Sequence, residues 1–343
     1  MTCQYWKKKA IVPAVSTGPE SGAGVPDPSN PTTRVMDVLN FLAAHPTETF
    51  TLAEIAKHVG LSNGSAHRLL TTLAAGQFLS RNEKHRTYSL GMAMVAVGQA
   101  AIEKHRGIEI ARREIARLAV EMNLQCSANA VVDGDILVLV KEGVAQSSIG
   151  LTRVGERRPL APPSGMCHVA WGGEAAIKAY VGKAEPYLSP AMRDHLLAAF
   201  PLIRRRGFAI AGRGASAGRS REVMVTPNDQ VRDAAYWTRV FELVGQLSAN
   251  EIQLFDLAEA GPAGVSYIAA PVFSPTGGVA FQLIVTGLPI DLGARELEIC
   301  AERLCATAAA ITSEIHGRPP RIPDGEPPPA GGGAGRTRSI EYS

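Results

Sequence analysis

Several things are scarce in this chain of 343 residues, and each scarcity excludes a class of protein. Its five cysteines (Cys3, Cys126, Cys167, Cys300 and Cys305) are scattered, and no two have C-x-x-C spacing. That argues against a zinc ribbon or a disulfide framework and suits a reducing compartment; no metal and no cofactor are expected. Cys300 and Cys305 lie in a helical pattern and read as small core residues. No stretch reaches the ~18 apolar residues of a membrane span. Met1-Thr-Cys-Gln-Tyr-Trp-Lys-Lys-Lys9 has no apolar core of signal-peptide length behind its charges. No membrane partner and a cytoplasmic location are therefore expected. Charge is also scarce: 20% of residues are charged and the net charge is +3, so any nucleic-acid site is a local patch. No G-x-S-x-G, Walker A, H-E-x-x-H or dinucleotide fingerprint is present.

What is present is enough apolar residue, 45%, for two cores. Residues 12–31 and 317–336 are dense in Pro, Gly and Ser and predict tails at 1–30 and 317–343 that bury too little apolar surface to order. Lys7-Lys8-Lys9 reads as part of a solvated tail.

Three short amphipathic segments follow the first tail. Val35, Val38, Leu39 and Leu42 have the spacing of one helical face, and His45-Pro46 ends that helix. Leu52, Ile55, Ala56 and Val59 repeat it behind Thr51-Leu-Ala-Glu54, a capping box, and Gly60 supplies a left-handed stop. The third segment is capped by Ser62 and buries Ala66, Leu69, Leu70 and Leu73. Helix, Gly-containing turn and helix make a helix-turn-helix, whose second helix enters the major groove. Its outward face carries Asn63, Gly64, His67, Arg68 and Thr71, with Ser62 and Ser65 at its start. A hairpin, Phe78–Arg81 and Thr87–Leu90, follows around Asn82-Glu-Lys-His-Arg86. Arg81, Lys84 and Arg86 on this wing suit phosphate contact. Double-stranded DNA is the expected partner.

These residues carry a resemblance. Leu61-Ser-Asn-Gly-Ser-Ala-His-Arg-Leu-Leu-Thr-Thr-Leu73, Phe78-Leu79 and Tyr88-Ser-Leu-Gly91 resemble the IclR family of bacterial regulators. The likeness continues through Arg158-Pro-Leu-Ala-Pro-Pro-Ser-Gly165 and Ile268-Ala-Ala-Pro-Val-Phe273 to about residue 316. It implies an α+β architecture: a winged helix-turn-helix at 31–90, a linker helix at 91–107, and at 108–316 a GAF-like effector and oligomerisation domain. It also implies a homodimer or homotetramer whose operator binding answers to a small-molecule effector. In one place the chain departs from the family, which commonly has Lys-Ser-Thr where Asn63-Gly64-Ser65 stands; His67 and Arg68 match.

In the second half, Cys126–Val132, the Asp133-Gly134 turn and Ile136–Val140 predict a hairpin, as do Val265–Phe273 and Val279–Thr286. Helices are expected at Val231–Leu247 and over Leu297–Ile315. Strands joined by tight turns argue for a mostly antiparallel sheet with helices on its faces. Residues 211–221 read as a loop whose arginines are solvated or meet an anion. Leu160–His168 is the candidate ligand loop, with Ala161, Ser164 as a cap, Gly165, and Met166 opening a helix that runs through Trp171. A helix N-terminus there suits a carboxylate. The resemblance adds Tyr267 and Thr286 as effector positions. Leu257 and Ile284 are apolar where some members are polar, so with Trp171, Tyr267 and Phe281 an aromatic or partly apolar organic acid is expected.

Two other readings stand beside the ligand-responsive repressor or activator. One is a hydrolase using Cys167-His168, although adjacent helical residues point about 100° apart and rarely bond. The other is a sensor or oligomerisation module without specific DNA binding.

Overall fold

The computed structural model describes residues 30–144, 153–214, 234–260 and 264–320. Of the tails expected at 1–30 and 317–343, residues 1–29 and 321–343 lie outside them, as do Lys7-Lys8-Lys9, Arg219, Arg221 and the first turn of the helix expected from Val231, whereas Gly317 and Arg318 bond to Thr312 and Ser274.

The N-terminal body comprises α1 (Pro31–Ala44), β1 (Phe50–Thr51), α2 (Leu52–His58), α3 (Asn63–Ala75), β2 (Leu79–Asn82) and β3 (Thr87–Leu90). Each helix begins where a side chain satisfies its free amides. Asn30 Oδ1 accepts from the Thr32 amide, and the Thr51 hydroxyl and Glu54 carboxylate cap α2 reciprocally. Those same bonds hold Glu54 below the usual carboxylate range. Gly60, at φ +64°, reverses the chain after α2, and the Leu61 amide closes onto the Ala56 carbonyl. Val38, Leu42, Ile55, Leu70, Leu79 and Tyr88 form the core. A short strand escaped the sequence reading: β1 pairs with β3, making a three-stranded sheet in the order β1-β3-β2.

α4 (Ala93–Lys104) and α5 (Arg106–Met122) follow, separated at His105. α4 buries no residue: Val95 and Val97 on the helix and Met92 at its N-cap are exposed. α5 buries Ile110, Ile115 and Leu118. The absent side chain of Gly107 lets α5 lie on the Phe281 ring, which an added Cβ would meet at 3.2 Å.

Beyond it come β4 (Gln125–Val132), β5 (Asp135–Glu142), β6 (Arg157–Pro159), α6 (Met166–Val169), α7 (Gly173–Gly182), α8 (Pro190–Arg206) and β7 (Ala209–Gly212). Then follow α9 (Ala234–Gly245), α10 (Ala249–Ile252), β8 (Val265–Phe273), β9 (Val279–Thr286) and α11 (Ala294–Glu314). The strands form one antiparallel sheet in the order β6-β5-β4-β9-β8-β7. Side chains alternate across it. Cys126, Ala128, Ile268, Ala270, Leu283 and Val285 face α5 and α11. Ala269, Tyr267 and Ile284 face the side on which α6, α7 and α8 pack.

Two local expectations change. Ala211 and Gly212 belong to β7, and Arg213 donates to the carbonyls of Val265 (3.2 Å) and Leu288 (3.1 Å), so it fastens the sheet edge. The helix from Met166 stops at Val169, one turn long. Its N-cap is Gly165, without a side-chain cap, so Ser164 does not play the expected role.

Candidate functional site

The outward face of α3 follows from what its other face buries. Ala66 and Leu70 are buried in the core, which turns Ser62, Asn63, Gly64, His67, Arg68 and Thr71 to solvent; Ser65 is half-buried. The Ser62 hydroxyl accepts from the Ser65 amide (3.3 Å) and fixes where the helix starts. α1 is held against the end of α2 by a contact that no local pattern reveals: the Arg34 guanidinium donates to the Val59 carbonyl. On the wing, Arg81, Lys84 and Arg86 are all exposed. Asn82 Oδ1 accepts from the amides of Lys84 and His85, both at 3.1 Å, and Arg86 adopts φ +53°. The tip is thus a defined turn presenting cations. Arg81 is partly committed, near Glu83 (3.5 Å) and over the Tyr88 ring.

The second candidate region lies where α6 packs on β8 and β9. Met166, Tyr267 and Ile284 share one packed cluster. Tyr267 and Thr286 are register partners. Ala161 is buried in a different cluster, against Tyr236, Val240 and Val244 of α9. The loop between them is fastened from α7 and its end: Tyr180 Oη donates to the Ser164 carbonyl (2.9 Å) and Lys183 Nζ to the Leu160 carbonyl (2.7 Å). Gly165, at φ +85°, sits where a Cβ would lie 2.3 Å from Leu160 Cδ1. The loop needs glycine for its own packing, whatever it binds.

Sequence reading missed the floor of this region. Gln125 pairs with Thr286, Ser127 with Ile284 and Asn129 with Gln282, all on the face opposite α5 and α11. Gln125, Ser127, Asn129, Gln282 and Thr286 are all buried. Gln125 Nε2 donates to Thr286 Oγ1 at 2.9 Å. Asn129 Oδ1 and, on α6, His168 Nδ1 are buried with no hydrogen-bond partner among the described residues. Alternation in residues 125–130 was visible in the sequence, but polar positions on a strand ordinarily mean the solvent side. Only tertiary packing makes them internal; α6 lies on the adjoining β8 and β9.

One of the three aromatic residues expected to mark the ligand lies elsewhere: Phe281 packs with the cluster on the α5 and α11 face. Trp171 and Tyr267 both pack against the cluster that holds Met166, and Trp171 also meets Phe273 edge-on at 5.0 Å.

Cys167-His168 has the wrong electrostatics for a nucleophile. Burial pushes the Cys167 thiol up and pushes the His168 imidazole down to about 4, the reverse of a thiolate–imidazolium pair. Among the described residues no group of His, Cys, Asp and Glu is placed to hold a metal ion. Nor is any helix among them long and apolar enough to cross a membrane.

Comparison with known proteins agrees with this geometry. The model of the IclR helix-turn-helix domain matches residues 31–83. The HTH-type transcriptional regulator XynR of Escherichia coli (strain K12) is 27% identical over 183 residues, covering 52% of this chain and 72% of its own. The IclR transcriptional regulator of Alicyclobacillus acidocaldarius superimposes with a TM-score of 0.61 at 18% identity, over 83% of this chain and 98% of its own. An IclR homologue from Microbacterium hydrocarbonoxydans, complexed with 4-hydroxybenzoate, gives 0.58 at 18% identity, over 83% of this chain and 99% of its own. Residues 31–83 thus carry an IclR-type helix-turn-helix domain, and the chain shares the fold of IclR transcription regulators over 83% of its length.

Proposed function

We propose that two copies of this chain bind paired DNA half-sites and that a small organic acid sets their relative orientation. The observation that carries the reading is the α3 surface, where a buried stripe of Ala66 and Leu70 turns a continuous row of hydrogen-bonding side chains outward. In this reading Ser62, Asn63, Gly64, Ser65, His67, Arg68 and Thr71 approach the major groove, and Arg81, Lys84 and Arg86 meet the flanking backbone. The exposed apolar residues Val95 and Val97 of α4, with Met92 at its N-cap, are covered by the second copy, which spaces the two α3 helices about 34 Å apart. The regulator acts in the cytoplasm, where its operator is.

The effector sits between the Ala161–Met166 loop and the polar row, touching Tyr267 and Thr286. Neutral amides and hydroxyls there favour a ligand with a hydroxyl group, which would donate to Asn129 Oδ1. The 4-hydroxybenzoate complex of a protein of the same fold supports an acid of this kind. The one-turn α6 offers a weaker dipole for the carboxylate than a long helix would, so hydroxyl recognition carries more of the selectivity. DNA must change effector affinity by the same factor as effector changes DNA affinity.

The test is a titration of the full chain against its own upstream DNA and random DNA over a salt series. Tighter upstream binding with a steep negative salt slope is expected. Equal affinity for both DNAs would sink specific regulation, and salt-independent binding would remove the phosphate contacts. Arg68→Ala is expected to weaken upstream binding about tenfold, within the range of one good side-chain–base contact.

A further inference from the structure

Glycine is a poor helix residue, because it loses more backbone freedom on folding than any other and packs no side chain. Among the described residues three glycines nevertheless stand inside helices, neither first nor last: Gly64 in α3, Gly98 in α4 and Gly107 in α5. Gly107 has an internal reason, since an added Cβ would meet the Phe281 ring at 3.2 Å. Gly64 has none. Its backbone is helical, and beyond that helix's own backbone a Cβ there would meet no atom within 4 Å. Gly98 is equally open, and it lies in the helix that the second copy covers in the reading above.

Gly64 is exposed in the first turn of α3. Asn63 stands beside it, and His67 and Arg68 follow three and four residues on, all exposed. Residues at that spacing share a helix face, so the missing side chain leaves a gap bordered by His67 and Arg68. Ala66 and Leu70 are buried on the other side, which turns the gap outward. The start of the helix does not depend on Gly64, because the Ser62 hydroxyl accepts from the Ser65 amide at 3.3 Å. Neither the fold nor the cap therefore calls for glycine at this position.

We infer that Gly64 is a specificity-determining residue whose bare Cα lets α3 close onto a base edge, the gap receiving the 5-methyl group of a thymine. The inference rests on the DNA-binding reading above and names what that surface selects. The thymine methyl is the apolar group that base edges present in the major groove, and a gap without side-chain donors or acceptors suits it. Asn63 carries a donor and an acceptor side by side, which match adenine, so the first turn selects A·T pairs. A β-carbon at position 64 fills the gap and holds the helix away from the groove.

The experiment uses the full chain, its own upstream DNA and random DNA. A second set of upstream fragments replaces each thymine in turn by deoxyuridine, which lacks only the methyl group. Gly64→Ala and Gly64→Ser are expected to weaken upstream binding about tenfold and random-DNA binding much less. Gly64→Ala is also expected to raise the melting temperature by about 2 °C, since alanine is the better helix residue. Affinity and stability then move in opposite directions, which a purely structural role does not produce. One deoxyuridine position in each half-site is expected to weaken wild-type binding about fourfold, the worth of a buried methyl group, and to have no effect on Gly64→Ala. Undiminished upstream affinity in Gly64→Ala would overturn the inference. So would a melting temperature that falls along with affinity, or the absence of any thymine whose methyl the wild type feels and the variant does not. Equal wild-type affinity for upstream and random DNA would sink the regulator reading and this inference with it. A wild type that discriminates, matched by a Gly64→Ala variant that discriminates as well, would sink this inference alone.

Discussion

In the N-terminal body, the bonds that define the elements join near neighbours. Thr51 and Glu54 cap each other, Ser62 caps Ser65, and Asn82 holds Lys84 and His85. In the C-terminal body the defining contacts are remote. Gln125 bonds Thr286 across 161 residues, and the Arg206 guanidinium reaches Leu254 across 48. The two bodies also expose different things. The first turns polar side chains outward on α3; the second buries a polar row on its sheet. A surface for a large, charged, hydrated partner must be exposed in advance, whereas a site for a small molecule is more selective when water is excluded.

The contrast can be broken by substitution. Leu70→Ala removes a fully buried side chain from the small N-terminal core and is expected to cost about 2–5 kcal/mol. Calorimetry should show the N-terminal transition collapsing while the transition of the sheet body persists; loss of both would mean that the bodies fold as one. His168 provides a test by pH. Burial holds it at about 4, so between the ordinary histidine range and that value the unfolded chain binds the extra proton. Stability conferred by the neutral imidazole is therefore present above about 6.5 and is lost as pH falls towards 4, on the order of 3 kcal/mol in all. His168→Gln should flatten that slope in denaturant titrations of the sheet body; an unchanged slope would place the sensitivity in another group.

Smaller effects sharpen the comparison. Thr286→Val leaves the buried Gln125 amide without its acceptor, at about 1–3 kcal/mol. Its melting temperature should fall, and any thermal shift with hydroxylated organic acids should shrink with it; a full ligand shift in this variant would move the effector away from the row. Ser62→Ala removes the α3 cap and should cost about 1 kcal/mol. Because the same cap sets where α3 begins, DNA affinity should fall more than stability alone explains. A loss confined to stability would detach the cap from recognition.

How much was legible depended on the range of the interaction. The capping box, the left-handed Gly60, the Ser62 cap and the Asp133-Gly134 turn are local, and each stands where its residue types place it. β1 was not legible, because two residues form a strand only when β3 lies alongside. α8 opens on an ordinary Ser189 cap, but α7 begins after Gly172 with no side-chain cap to mark its start. The aromatic residues show the opposite error. Trp171, Tyr267 and Phe281 were grouped by type, but the alternation of strand faces places Phe281 on the other side of the sheet from Tyr267.

The sequence by itself determined the helix-turn-helix, the wing and the antiparallel hairpins, because caps, turns and apolar periodicity act within a few residues and need no partner. Tertiary structure alone decided which polar side chains are internal. Gln125, Ser127 and Asn129 alternate as a solvent-facing strand would, yet they are buried in the folded protein. It also decided that burial holds Cys167 as a thiol and His168 neutral, and that Arg206 is a fastening, since burial and remote carbonyls, not neighbours in the chain, set their chemistry.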